Sequence, residues 1–226
     1  MTLPKEQTLR QMTQFDQWFL PEGEKHLQQW MLKVNQRVEG RLTYQYHKYE
    51  AGLGLCRDRR LAVDVGGHVG LLSYWMARDF DQVEAFEPVD HHRDCFKRNV
   101  LDHRKNVTLH GCALGEREGK VSIRTEPTSS GDSRVDGPGD IPLMRLDTFR
   151  LKNVDFLKID CEGTELAVLR GAEELLARSK PVVMVEQKPG HAQRYGLGER
   201  DAVTYLESMG YRVAREMAGD FLMVHP

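Results

Sequence analysis

Several things are scarce in these 226 residues, and each absence narrows the reading. No stretch approaches the roughly 18 consecutive apolar residues that a bilayer crossing takes. The opening from Met1 to Gln14 is polar and lacks the apolar heart of a secretory signal, so a soluble, cytoplasmic protein is expected. Cys56, Cys95, Cys112 and Cys161 are the only cysteines, and no CxxC spacing points to zinc or a redox pair; reduced thiols are the expectation. Excess charge is missing too. Lysine plus arginine total 32 against 34 aspartates and glutamates, a formal charge of -2, which gives no general attraction for nucleic acid. The Gly-x-Gly-x-x-Gly fingerprint of dinucleotide binding does not occur, and no internal repeat is visible.

What is present is an alternation. From Leu61 onward, short β-rich runs take turns with amphipathic helical patterns, which implies βαβ units and a parallel sheet. Strands are expected at 61–65, 82–86, 107–114, 154–159 and 181–185. Helices are expected at about 70–79, 90–103, 165–178 and 199–209. Residues 211–216 and 221–225 around Ala-Gly-Asp read as a terminal antiparallel hairpin. Between them, 115–150 breaks the rhythm: two strand-like runs flank a Ser/Gly/Asp/Pro-rich segment at 126–140, read as a loop or hairpin inserted in the sheet. The spacing of Trp18, Phe19, Leu27, Trp30, Met31 and Val34, and of Leu42, Tyr46, Tyr49 and Leu53, predicts one or two helices over 1–60, a helical extension on an α/β domain spanning 61–226.

Three segments carry chemistry. Asp64-Val65-Gly66-Gly67-His68-Val69-Gly70 follows a buried strand; its glycines allow a tight turn and leave room for a ligand against the backbone. The acidic residue that opens the turn would repel a pyrophosphate, and suits a ligand with an ammonium group, such as the amino-acid end of S-adenosylmethionine. Glu87, 17 residues after Gly70, closes the second strand, where a carboxylate can accept hydrogen bonds from ribose hydroxyls. Asp160, in Lys158-Ile-Asp-Cys-Glu-Gly-Thr-Glu165, ends a buried strand and faces the cleft or a buried partner. Glu165, in the first helical turn after it, reads equally well as a dipole or capping residue.

With these pieces the chain resembles the FkbM family of S-adenosylmethionine-dependent methyltransferases. The resemblance rests on Val63–Gly70, Phe86-Glu-Pro88, Ala113-Leu-Gly115, Leu146-Asp-Thr148, Asp155–Glu165, Val168–Ala172 and Val183–Glu186, in the family's order. It implies a doubly wound, seven-stranded Rossmann-like sheet, mostly parallel with a terminal antiparallel hairpin. It also implies that Asp64, Gly66, Gly67, His68 and Gly70 line the methionine end of the donor, Glu87 the ribose, and Cys112 and Ala113 the adenine. The family's small-Asn pair in the glycine turn is Gly67-His68 here.

Transfer from a sulfonium needs positioning and a deprotonated nucleophile. The expectation is O-methylation of a hydroxyl on a small molecule or saccharide, with Asp160 as general base and also near the donor, and Glu186 as second candidate. His68 and His191 follow, His191 reading as a solvated loop residue after Pro189-Gly190. No metal is expected, although Asp160, Glu162 and Glu186 gathered at one strand edge would suit magnesium or calcium. Rival readings are a nicotinamide-dependent oxidoreductase and a non-catalytic nucleoside- or nucleic-acid-binding module. The latter would use Arg93, Lys97, Arg98, Arg104 and Lys105 with His91, His92 and His103, although such a set is ordinarily a solvated helix face. Tyr44, Tyr46, His47 and Tyr49 could stack on an acceptor ring or be core.

Overall fold

The computed structural model describes residues 11–226, so the polar opening is described only from Gln11. The central sheet consists of β1 (Leu61–Val65), β2 (Gln82–Phe86), β3 (Val107–His110), β4 (Val154–Ile159), β5 (Val182–Glu186), β6 (Arg212–Met217) and β7 (Asp220–Val224). Their spatial order is β3-β2-β1-β4-β5-β7-β6. The first five run parallel, while β7 lies antiparallel to both β5 and β6. This is the seven-stranded Rossmann-like arrangement expected. Strand order reverses between β1 and β4, and the crevice beyond their carboxyl ends is where ligands sit in open α/β sheets.

The parallel strands are near-continuous apolar runs because helices cover both faces. Successive residues serve alternate faces. Ala62, Phe156 and Met184 join Trp18, Tyr49, Trp75 and Phe96 in one cluster, while Val63, Leu157 and Val183 join Leu169, Leu175 and Leu206 in the other. The helices are α1 (His26–Val34), α2 (Tyr46–Leu53), α3 (Leu71–Asp79), α4 (Asp90–Phe96), α5 (Glu165–Arg170), α6 (Glu173–Ser179) and α7 (Asp201–Ser208). No helix among the described residues is long and apolar enough to cross a membrane.

Residues 12–60 are less helical than their spacing predicts. Met12–Phe15 and Trp18–Pro21 form an antiparallel hairpin, as do Arg37–Val38 and Arg41–Leu42. Trp18 and Phe19 thus sit in a strand, a setting that aromatic residues favour and that Pro21 can close. Tyr46 and Tyr49 are core: their rings meet Trp75 and Phe156 edge to face. Almost all of α3 is buried because Trp18 seals its outer side against Tyr74 and Trp75.

Three other expectations are corrected. The run 107–114 breaks after His110, and Ala113–Leu114 joins a separate three-stranded sheet with Gly119–Val121 and Ile141–Met144. The segment 115–150 therefore lies beside the central sheet and not within it. The helix expected over 165–178 divides into α5 and α6 at Gly171, where an added Cβ would come within 2.1 Å of the Gly115 carbonyl oxygen. The helix expected over 90–103 ends as a π-turn, Lys97–Leu101. That turn presents Asn99, whose side-chain amide donates to the carbonyls of Phe19 and Val69 and whose oxygen accepts the Phe19 N–H at 2.7 Å.

Candidate active site

At the switch point a cleft encloses about 1210 Å³ of empty space, part of it open to solvent. Its floor is the turn after β1, the tips of β2 and β4, and Cys112 to Leu114. Its roof is 129–135, and His26, Leu27, Tyr44 and Gln45 also line it. Asp64, Gly66, Gly67, His68, Glu87, Cys112, Ala113 and Asp160 all line this one cleft, so expectations drawn from four separate segments converge.

The glycine turn has a steric cause. Gly66 has φ +79°, and a Cβ there would lie 2.0 Å from the Asp160 carbonyl oxygen, inside the tip of β4. Only glycine lets the turn run this close beneath a ligand. The Gly66 and Gly67 N–H groups both donate to the Phe86 carbonyl, tying the turn to β2. Gly70 is not on the cleft wall; it starts α3, packed against Phe96 and Val100.

Asp64 is 1% exposed, with a hydrogen bond on one oxygen and an ion pair on the other. Oδ2 accepts from Ser73 Oγ at 2.6 Å, and Oδ1 lies 3.0 Å from Lys158 Nζ. The pairing follows from register, since Lys158 and Asp64 are opposite each other on β4 and β1 and share a face. Lys158 also donates to the Gly66 carbonyl at 2.7 Å, so one ammonium fixes both the acid and the turn. Burial works against that charge, but Asp64 and Asp160 outweigh it and hold the lysine pKa above its ordinary value. Asp64 therefore anchors the turn through Ser73 and Lys158.

Glu87 is similarly held. Oε2 accepts the His68 N–H at 2.8 Å, and Oε1 accepts the Val89 N–H at 2.8 Å and stands 3.2 Å from His92 Nδ1. A carboxylate has four lone-pair sites, so capacity for a ribose hydroxyl is left. His68 reaches Ser130 Oγ at 2.9 Å through Nε2. Ser130 directs its hydroxyl proton to the buried Glu24, which also accepts the Ser130 N–H at 2.6 Å and, through its other oxygen, the Leu27 N–H at 2.8 Å. Ser130 has one proton to give, so His68 Nε2 is the donor in that pair. Burial, then repulsion from His92 and Lys158, pushes the imidazole well below its usual pKa, which keeps it in the neutral form this donation describes. The Glu24–Ser130–His68 chain binds roof to floor, and no sequence pattern pointed to it.

Asp160 is partly exposed on the cleft wall. Burial raises its pKa, but the charges of Lys158 and Lys188 outweigh that, and the net shift is downward: it is a carboxylate. Glu186 is 1% exposed and stands behind Asp160, off the cleft wall. Burial, then the charge of Asp160, pushes its pKa up to about 10. Lys188, which the sequence did not single out, pairs with Glu186 and lines the cleft. His191 is no solvated loop residue: its side chain is 17% exposed, and Nδ1 lies 2.9 Å from Glu162.

Sequence comparison now decides the class. The Methyltransferase FkbM domain matches residues 47–213, most of the chain. The chain belongs to the FkbM methyltransferase family. Relatives include Methyltransferase 1 of Beauveria bassiana (strain ARSEF 2860), 28% identical across 70% of this chain and 75% of that protein. Methyltransferase sdnD of Sordaria araneosa is 28% identical across 50% of this chain and 60% of its own length. Among solved structures, Methyltransferase FkbM from Methylobacillus flagellatus KT superposes with TM-score 0.51 at 23% identity, covering 75% of this chain; this chain spans only 44% of that one. A Streptococcus mutans protein described as a methyltransferase, solved in complex with SAH, gives TM-score 0.50 at 12% identity over 81% of this chain and 97% of that one. At those identities the structures speak for the fold, which is that of a methyltransferase. As an FkbM enzyme this chain takes its methyl group from S-adenosyl-L-methionine, and the cleft fits such a donor: a turn no side chain could replace, Glu87 at the neighbouring strand tip, and ionised Asp160 facing the space between.

Proposed function

We propose that this FkbM methyltransferase methylates a hydroxyl group on a small molecule or a saccharide, with Asp160 as the general base. The observation that carries the reading is Asp160 itself, the ionised carboxylate at the β4 tip that faces the cleft, held in that state by two lysines. When bound, S-adenosyl-L-methionine supplies an electrophilic methyl group on sulfur. The protein's part is to hold that group and a hydroxyl in line, and to take the hydroxyl's proton. Gly66, Gly67 and His68 cradle the methionine end, Glu87 accepts from the ribose, and Cys112 and Ala113 face the adenine. Asp160 accepts the proton, and Lys158 and Lys188 balance its charge until then.

A cleft roofed by 129–135 and lined by Tyr44 and the buried Gln45 suits a small acceptor or a sugar ring better than a folded macromolecule. Three of the basic residues on the helix over 90–103 pair with acids beside them: Arg93 with Asp90, Lys97 with Asp94 and Arg98 with Asp102, which leaves little of a nucleic-acid face. The four thiols stand free, which suits the cytoplasm.

The test is Asp160→Asn. Turnover should fall by roughly 10²–10⁴-fold, the range for loss of a general base, while calorimetric affinity for S-adenosylhomocysteine is retained. Unchanged turnover would remove Asp160 as base.

A further inference from the structure

We infer that Glu162, Glu186 and His191 form a binding site for a divalent transition-metal cation, one layer behind the wall of the cleft. The three come from different segments: the turn after β4, the last residue of β5, and the loop that follows it. One potential ligand atom from each lies within 4.8 Å of the other two.

The second observation is unmet bonding capacity. Glu186 is 1% and Glu162 6% exposed. Yet both oxygens of Glu186, Oε2 of Glu162 and Nδ1 of His191 make no hydrogen bond. Nδ1 stands 2.9 Å from Glu162 Oε2 and 3.8 Å from Glu186 Oε2, and Lys188 approaches Glu186 Oε1 as an ion pair without hydrogen-bond alignment. Lys188 meets one of these four buried atoms, and a cation among the other three would satisfy what a single ammonium does not.

The donor set selects the occupant. Two carboxylate oxygens and one imidazole nitrogen are too hard for copper(I) and suit Mn²⁺, Fe²⁺ or Zn²⁺. Three protein ligands also leave room for water or another oxygen. The backbone brings the segments into contact: Gly163, at φ +113°, approaches so closely that an added Cβ would lie 2.5 Å from the His191 carbonyl oxygen. Of the three ligands only Glu162 reaches the cleft lining, two residues beyond Asp160. A cation here clamps the loop after β5 onto the turn carrying Asp160. That bearing on catalysis rests on the proposed role of Asp160; the site itself does not.

The experiment is titration of the chelator-stripped full chain with Mn²⁺ alone, followed by electron paramagnetic resonance. One Mn²⁺ should bind per chain, and affinity should fall by roughly 100-fold in Glu162→Gln and in His191→Ala. Lys188→Met, which removes a competing ammonium, should bind Mn²⁺ more tightly than the unaltered chain. An unchanged far-ultraviolet circular dichroism spectrum and a cooperative urea transition report that each variant is folded. His191→Ala, a change in a loop, decides the matter if Glu162→Gln does not fold. The inference is overturned if neither the unaltered chain nor Lys188→Met takes up Mn²⁺, which would leave an imidazole and an ammonium as the only countercharges, or if His191→Ala binds it undiminished. Since no donor or acceptor is present, a negative result leaves the Asp160 reading standing, and failure of the Asp160→Asn test leaves this one standing.

Discussion

Replacing Lys158 by methionine isolates the interaction on which the donor turn depends. The substitution keeps the length of the side chain and removes its charge, leaving Asp64 buried with Ser73 as its remaining partner. Breaking a buried ion pair from one side costs about 3–5 kcal/mol, chiefly because an uncompensated charge stays behind. For a chain of this size each kcal/mol shifts the melting temperature by about 2–4 °C, so a fall of roughly 6–20 °C is expected. The carbonyls of Val65 and Gly66 lose a donor in the same step, so affinity for the methyl donor should fall as well. Asp64→Asn combined with Lys158→Met removes both charges and should recover most of the stability, since replacing both members of such a pair is often neutral. Urea denaturation of the two single variants, the double variant and the unaltered chain gives the coupling directly. A loss below about 1 kcal/mol for Lys158→Met, or a double variant no more stable than Lys158→Met, would refute the reasoning.

Other consequences can be checked alongside. Burial pushes Glu165 up to about 7, against three backbone N–H contacts that lower it. Its folded-state pKa thus exceeds its unfolded value, the folded chain holds the extra proton, and stability should fall by about 3 kcal/mol as pH rises from about 4.5 to 7 and then level off. Glu165→Gln should flatten that slope in urea midpoints taken at pH 5 and pH 8; identical slopes would count against the assignment. Gly66→Ala forces a side chain into a left-handed turn and against Asp160, and should cost at least roughly 2 kcal/mol in chemical denaturation. Ser130→Ala takes a charge-assisted hydrogen bond from Glu24 and an acceptor from His68. It should weaken S-adenosylhomocysteine binding about tenfold, read by calorimetry, with a smaller effect on kcat.

The sheet and the glycine turn were legible because their signals are local. An apolar run of five residues followed by Asp-x-Gly-x-x-x-Gly depends on neighbours in the chain, and so does an apolar strand closing on Glu87. What escaped depends on groups far apart in sequence. Ser130 meets Glu24 across 106 positions, and no pattern of spacing announces that. Lys158 was visible as a motif residue, but its partnership with Asp64 follows from strand order, which becomes plain only once β4 lies beside β1. His191 misled because Pro-Gly normally marks solvent, whereas here the chain folds back onto Gly163. Trp18 and Phe19 fit a helical spacing and a strand equally well, and their burial against Tyr74 and Asn99 settled the matter.

Asn99 sets a limit on how far this protein can be trimmed. One amide, turned inward by a single wide helical turn, gives Phe19 both of its backbone bonds and holds the Val69 carbonyl beside the donor turn. A gene cut to begin at Leu61 would remove those backbone partners at a stroke and strip Trp18 from Tyr74 and Trp75. The fragment would retain the glycine turn, Glu87 and Asp160, yet display a sticky aromatic flank where the whole chain has a sealed one.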